Sequence, residues 1–175
     1  MGFLGSIFGK QQAVPVENLA ALQEAGASLS AERYAFSGNA GICLRKSGHS
    51  KLDIAGLLAG AALPARYELA ADEYGCIWII LKGGLASVVS STATACRLLN
   101  EARQGGEILC TAFEFEKDGR KAYWIYNRRG LFYPFVPKDG EHDVGLELKM
   151  KDAGSSVMPV DSSVKNWHPL WGMPF

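Results

Sequence analysis

Histidine, cysteine and paired acidic residues are where chemistry would be expected to start, and this chain has few of them. Its three histidines are His49, His142 and His168, and its four cysteines are Cys43, Cys76, Cys96 and Cys110. No two histidines stand in a metal-binding pattern such as H-E-x-x-H. Cys43 and His49 would straddle the end of a strand, but a zinc-type ion needs about four ligands and this stretch names two. The bland reading, a buried thiol and a loop histidine, is preferred. The cysteines are too widely spaced for a Cys-x-x-Cys pair and read as buried thiols of a reducing compartment. No G-x-S-x-G elbow is present. Glu114 and Glu116 share one strand face and could form a carboxylate pair, but with Lys117 and Lys121 nearby they read as the solvated face of a hairpin. Gly83-Gly84 precedes a helix without the Lys-Ser/Thr of a phosphate loop, so it reads as a tight connection. Arg128-Arg129 reads as a basic surface turn. No catalytic residue, metal site or cofactor is expected.

Apolar residues are more suggestive. The chain opens "MGFLGSIFGK", and in a helix Phe3, Leu4, Ile7 and Phe8 would share one flank. Burying such side chains is worth about 1.5–3 kcal/mol each. Gly2, Gly5 and Gly9 weaken that helix, and Lys10 alone gives little attraction to anionic lipid. A protein partner, a second copy, the chain's own groove and a membrane surface all remain open. "MGFLGS" also fits the N-myristoylation pattern, but Phe3 beside the acceptor glycine disfavours it. Tyr74, Trp78, Arg129, Phe132, Tyr133, Trp167 and Trp171 are candidates for an aromatic surface or pocket, with Trp78 and Trp124 read as core.

The elements that must position these residues follow from the patterning. With 175 residues, 48% hydrophobic content and zero formal net charge, the chain reads as one globular domain with no electrostatic footprint for nucleic acid. No run is long enough to span a bilayer, and no signal peptide is recognised. Residues 1–15 read as an arm hinged near Pro15, and residues 16–175 as the domain. Helices are expected over 16–25, stopped by Gly26, over 50–60 behind a Ser50/Asp53 capping box, and for about 18 residues after Gly84. Strands are expected at 41–46, on either side of an Asp72–Gly75 turn, and as a hairpin about Asp118-Gly119. Cys76–Leu81 is apolar on both faces and reads as a central, doubly covered strand. Pro134 marks a short edge strand. "VGLELKM" fits a strand or a helix, and the tail reads as an Asp161-capped turn followed by an aromatic strap. The class is α+β: an antiparallel sheet with a long helix on one face. The element order is similar to that of type III secretion chaperones, a fold-level analogy.

Several pieces converge on one family. The "MGFL" start, Tyr74-Gly75 followed by Trp78, "RGLFYPFVP" at 129–137, "LEL" at 146–148 and "WHPLWGMP" at 167–174 together resemble the PspAB family of PspA-associated proteins. That resemblance implies a cytoplasmic accessory of the phage-shock envelope-stress system, connected with the membrane-binding coiled-coil protein PspA and, in some genomes, with a membrane metalloprotease. It brings no catalytic residues. The expectation is therefore a non-enzymatic partner-binding protein, with peripheral membrane contact or homodimerisation open. The alternative is a small-ligand binder or enzyme with a pocket near Tyr74, Trp78, Arg129 and Tyr133.

Overall fold

Left-handed backbone at two adjacent residues, Asp118 (φ 51°) and Gly119 (φ 76°), turns the chain tightly enough to set Lys117 opposite Arg120. This is the two-residue turn whose twist matches paired strands, and it joins β4 (Ile108–Lys117) to β5 (Arg120–Asn127). The computed structural model describes residues 12–45 and 53–175. Among these, β1 (Ala35–Leu44), β2 (Arg66–Ala71), β3 (Ile77–Lys82) and β6 (Phe132–Phe135) complete a six-stranded antiparallel sheet in the order β2-β3-β1-β4-β5-β6. A small ladder of β7 (Pro137–Lys138) and β8 (Glu141–His142) follows. The fold is α+β, as the patterning requires.

Helices cover one face of the sheet. They are α1 (Ala20–Glu24), α2 (Gly26–Ala31), α3 (Ile54–Ala59), α4 (Leu85–Glu101) and α5 (Val144–Gly154). Val88, Cys96 and Leu99 of α4 pack with Leu22, Leu29 and Met150 against Ile42, Leu81, Phe113 and Trp124. The opposite face, carrying Trp78, Ala112, Tyr123, Ile125 and Phe135, is covered by the C-terminal strap through Trp167, Leu170, Met173 and Phe175.

Several sequence expectations change at this level. Gly26 does not stop a helix; it opens α2, and a Cβ there would lie 3.2 Å from Leu85 Cδ2. Its smallness serves the approach to α4. Asp53 itself caps α3, its carboxylate accepting from the Gly56 N–H at 2.7 Å, so the helix starts later than a Ser50 cap would place it. Ser50 and His49 lie outside the described residues. β1 begins at Ala35, well before residue 41. β3 is second from the edge, not central. "VGLELKM" is helical, capped by Asp143 accepting from the Leu146 N–H. In β4, a register shift opposite Cys43 and Leu44 leaves Leu109 as the extra residue. The bulge sends Ile108 to the helix side and Leu109 to the strap side.

The arm boundary also moves. Val14 is buried, and its N–H and C=O are both held by the Asn100 side chain of α4, at 3.0 and 2.9 Å. Tyr126 donates its hydroxyl to the Pro15 carbonyl at 2.9 Å. Pro15 is thus pinned to β5 and is no hinge. Phe3, Leu4, Ile7 and Phe8 lie outside the described residues.

Candidate functional site

The strap creates the polar places that a plain two-layer fold would lack. Pro134 puts β6 at the sheet edge, and the chain returning from α5 closes that edge. Phe132 N–H donates to the Pro159 carbonyl and Asp161 N–H to the Phe132 carbonyl. Asp161, buried, then becomes a hub. It pairs with Arg129 and accepts from the Ser163 N–H at 3.1 Å and the Asn166 side chain at 3.2 Å. Arg128 donates instead to the Gly106 and Ile108 carbonyls. Tyr133 donates its hydroxyl to the His168 carbonyl at 2.9 Å, and burial pushes that hydroxyl's pKa up. Between the strap and the β5–β6 turn lies a cleft of about 350 Å³, with Cys110, Arg128, Arg129, Tyr133, Asn166 and His168 among its walls.

The proposed pocket residues do not meet in this cleft. Arg129 and Tyr133 line it, but Trp78 is 2% exposed and lies under the Phe175 ring at 5.7 Å between centroids. Tyr74 is 66% exposed on the β2–β3 turn. Phe132 is wholly buried on the helix side, and Trp167 is buried with its indole N–H on the Asp161 carbonyl. Trp171 packs edge-on to Phe135 at 5.2 Å yet remains 36% exposed. The aromatic segment after Arg129 is therefore mostly interior, and Tyr74 and Trp171 are its exposed companions.

Glu114 overturns the solvated-face reading of the hairpin. It is 4% exposed, whereas Glu116 is exposed as expected. A β-bulge at Ser37–Asn39, where Gly38 has φ 94°, aims both flanking side chains at Glu114. Its Oε1 accepts from Ser37 Oγ at 2.7 Å and Asn39 Nδ2 at 3.1 Å. Its Oε2 accepts from Tyr123 at 3.1 Å and meets Lys121 Nζ at 2.7 Å. Burial alone would raise its pKa, but Lys121, Ser37 and Asn39 outweigh that and hold it below the ordinary carboxylate value. A carboxylate has about four acceptor positions; four donors fill them here, leaving no lone pair for a general base. A second buried carboxylate, Glu147, accepts from the Val136 N–H at 3.0 Å and from His142 Nδ1 at 2.9 Å. It ties α5 to the end of β6.

Two thiols and a carboxylate converge on the strap side. Cys43 lies directly opposite Cys110 in the β1–β4 register and opposite Trp78 in the β1–β3 register. The Asp72–Cys76 turn brings Cys76 and Asp72 to the same place, and the donor atoms of Cys43, Cys76 and Asp72 all lie within 4.8 Å of one another. Contact with the Cys110 sulfur, and then burial, raises the Cys43 thiol far above its usual range. Burial first, then Cys43, pushes Cys76 up to about 11. Sequence spacing could not reveal this group; Asp72-x-x-x-Cys76 was its one local trace.

A family model described as PspAB, PspA associated protein B, matches residues 1–175. The chain belongs to the PspAB family. The pieces that carried the resemblance have structural work in this member: "RGLFYPFVP" contains the Asp161 partner and the closed edge strand, "LEL" supplies Glu147, and "WHPLWGMP" is the strap. No curated protein and no solved structure matches the chain, so the secretion-chaperone likeness remains one of element order. Among the described residues, no helix is long and apolar enough to cross a membrane.

Proposed function

We propose that this PspAB-family chain is a non-enzymatic accessory that docks on a PspA-type protein at the cytoplasmic side of the membrane, using its N-terminal apolar residues as the contact. The observation that carries this reading is the family match across the whole chain. Val14 and Pro15 are fixed to α4 and β5, so whatever precedes them leaves from one defined point. Beside that point, Val16, Ala20, Gln23, Val89, Ala93 and Arg97 line a groove of about 490 Å³ between α1 and α4. Phe3, Leu4, Ile7 and Phe8 would add apolar contact next to it, at about 1.5–3 kcal/mol for each side chain fully buried.

The test compares the full chain with one lacking residues 1–11, a cut that spares the Val14 and Pro15 anchors. Co-sedimentation with purified PspA and, separately, with phospholipid vesicles is measured. Loss of PspA capture by tenfold or more on truncation, about 1.4 kcal/mol, is expected. Equal capture by both chains removes the arm from the interface, and no capture by the full chain overturns the docking reading. Capture by vesicles alone would replace a protein partner with lipid.

A further inference from the structure

We propose that Cys43, Cys76 and Asp72 form a binding site for a thiophilic divalent cation of the zinc class. Their three donor atoms, from β1 and from the turn between β2 and β3, lie within 4.8 Å of one another. Ligands bound to one tetrahedral zinc stand about 3.5–3.8 Å apart, given bond lengths near 2.3 Å to sulfur and 2.0–2.2 Å to oxygen. Separations of up to 4.8 Å would have to contract by about an ångström to close the site.

The carboxylate is already oriented for the task. Asp72 Oδ1 accepts from the Tyr74 and Cys76 N–H groups at 2.9 and 2.8 Å, and Oδ2 accepts from Trp78 Nε1 at 2.8 Å. Of about four acceptor positions, one on Oδ2 is left. Trp78 is locked in the core beneath Phe175, so its N–H fixes the carboxylate as outer-shell donors fix metal ligands. Two thiolates and a carboxylate would leave the bound divalent ion with one net negative charge. The fourth position is left to water. Asp72 and Cys76 are only half-buried, so an ion has a way in at the turn. As the two metal–sulfur bonds form, the two thiol protons pass to solvent.

Cobalt(II) chloride, then zinc(II) chloride, is titrated into the reduced full chain. The expected result is one equivalent of cobalt giving a near-ultraviolet thiolate charge-transfer band, which one equivalent of zinc abolishes. Cys76→Ser and Asp72→Asn should each weaken binding at least tenfold, while Cys96→Ser, on α4 across the sheet, should bind as the unaltered chain does. Cys76 is half-exposed, so its variant keeps the test sound if Cys43→Ser does not fold. Absence of the band at stoichiometric cobalt overturns the proposal, as does undiminished cobalt affinity in Cys76→Ser or loss of the band in Cys96→Ser.

Discussion

Arg129 and Asp161 show how one exposed and one buried residue divide a task. The Arg129 side chain is mostly in solvent while Asp161 is buried, so the pair holds a charge inside the strap's first turn. Removing Arg129 leaves that charge with neutral donors only. Arg129→Ala should destabilise the fold by about 1–3 kcal/mol, read as a lower urea midpoint, and Arg129→Lys should recover part of it. Glu114 makes a different prediction, about acid. Its folded pKa is depressed below 4.5, its ordinary value. Stability from the ionised form is therefore complete above that value and is lost as pH falls through the folded one. Followed by thermal melting from about pH 6 to about pH 3, the unaltered chain should lose more of its melting temperature than Glu114→Gln does. Parallel curves would mean that the Lys121 contact gives the folded state no acid-sensitive advantage.

At the scale of elements, the strap is as much a part of the fold as the helices. A Cβ on Gly41 of β1 would stand 2.5 Å from Phe175 Cε1 and 2.8 Å from Trp78 Cε3. Trp78 is fixed and Phe175 is near the chain's end, so Gly41→Ala should lift the strap. Faster protease cleavage after residue 167, with little change in the far-ultraviolet spectrum, is the expected outcome. The α+β class, the Asp118-Gly119 hairpin, the α4 stripe and the Pro134 edge were all legible because each is written in local spacing. An aromatic strap and the double covering of Cys76–Leu81 were legible as well, but how far the strap reaches across the other strands was not. Cys110 and Ala112 alternate as a solvent-facing row would, and only a segment more than fifty residues later buries them; Glu114, next in that row, is enclosed by Ser37, Asn39 and Tyr123. The bulge at Ser37–Asn39 is likewise invisible until β4 lies beside it. Candidate residues divide the same way: Trp78 is core, as its apolar run suggests, whereas Tyr133 reads as an aromatic contact and the strap turns it inward.

The whole molecule is a sheet closed on two faces and along one rim. Truncation at residue 166 would uncover Trp78, Tyr123, Ile125 and Phe135 together. Such a chain should bind a hydrophobic dye and unfold at lower denaturant than the full chain, with a loss of several kcal/mol from four or more partly uncovered apolar side chains. If dye binding and midpoint stay unchanged, the strap is ornament to the core. At the β6 rim, residues 159–161 occupy backbone groups that an added strand would need. At the β2 rim, nothing among the described residues pairs with the outer backbone groups, and Arg66, Glu68 and Leu69 stand exposed along it. A ribbon that can be extended from one side only has a natural limit to self-joining. Two copies meeting there would consume the last open border that the described residues leave on the six-stranded sheet, so edge-to-edge joining of that sheet stops at a pair.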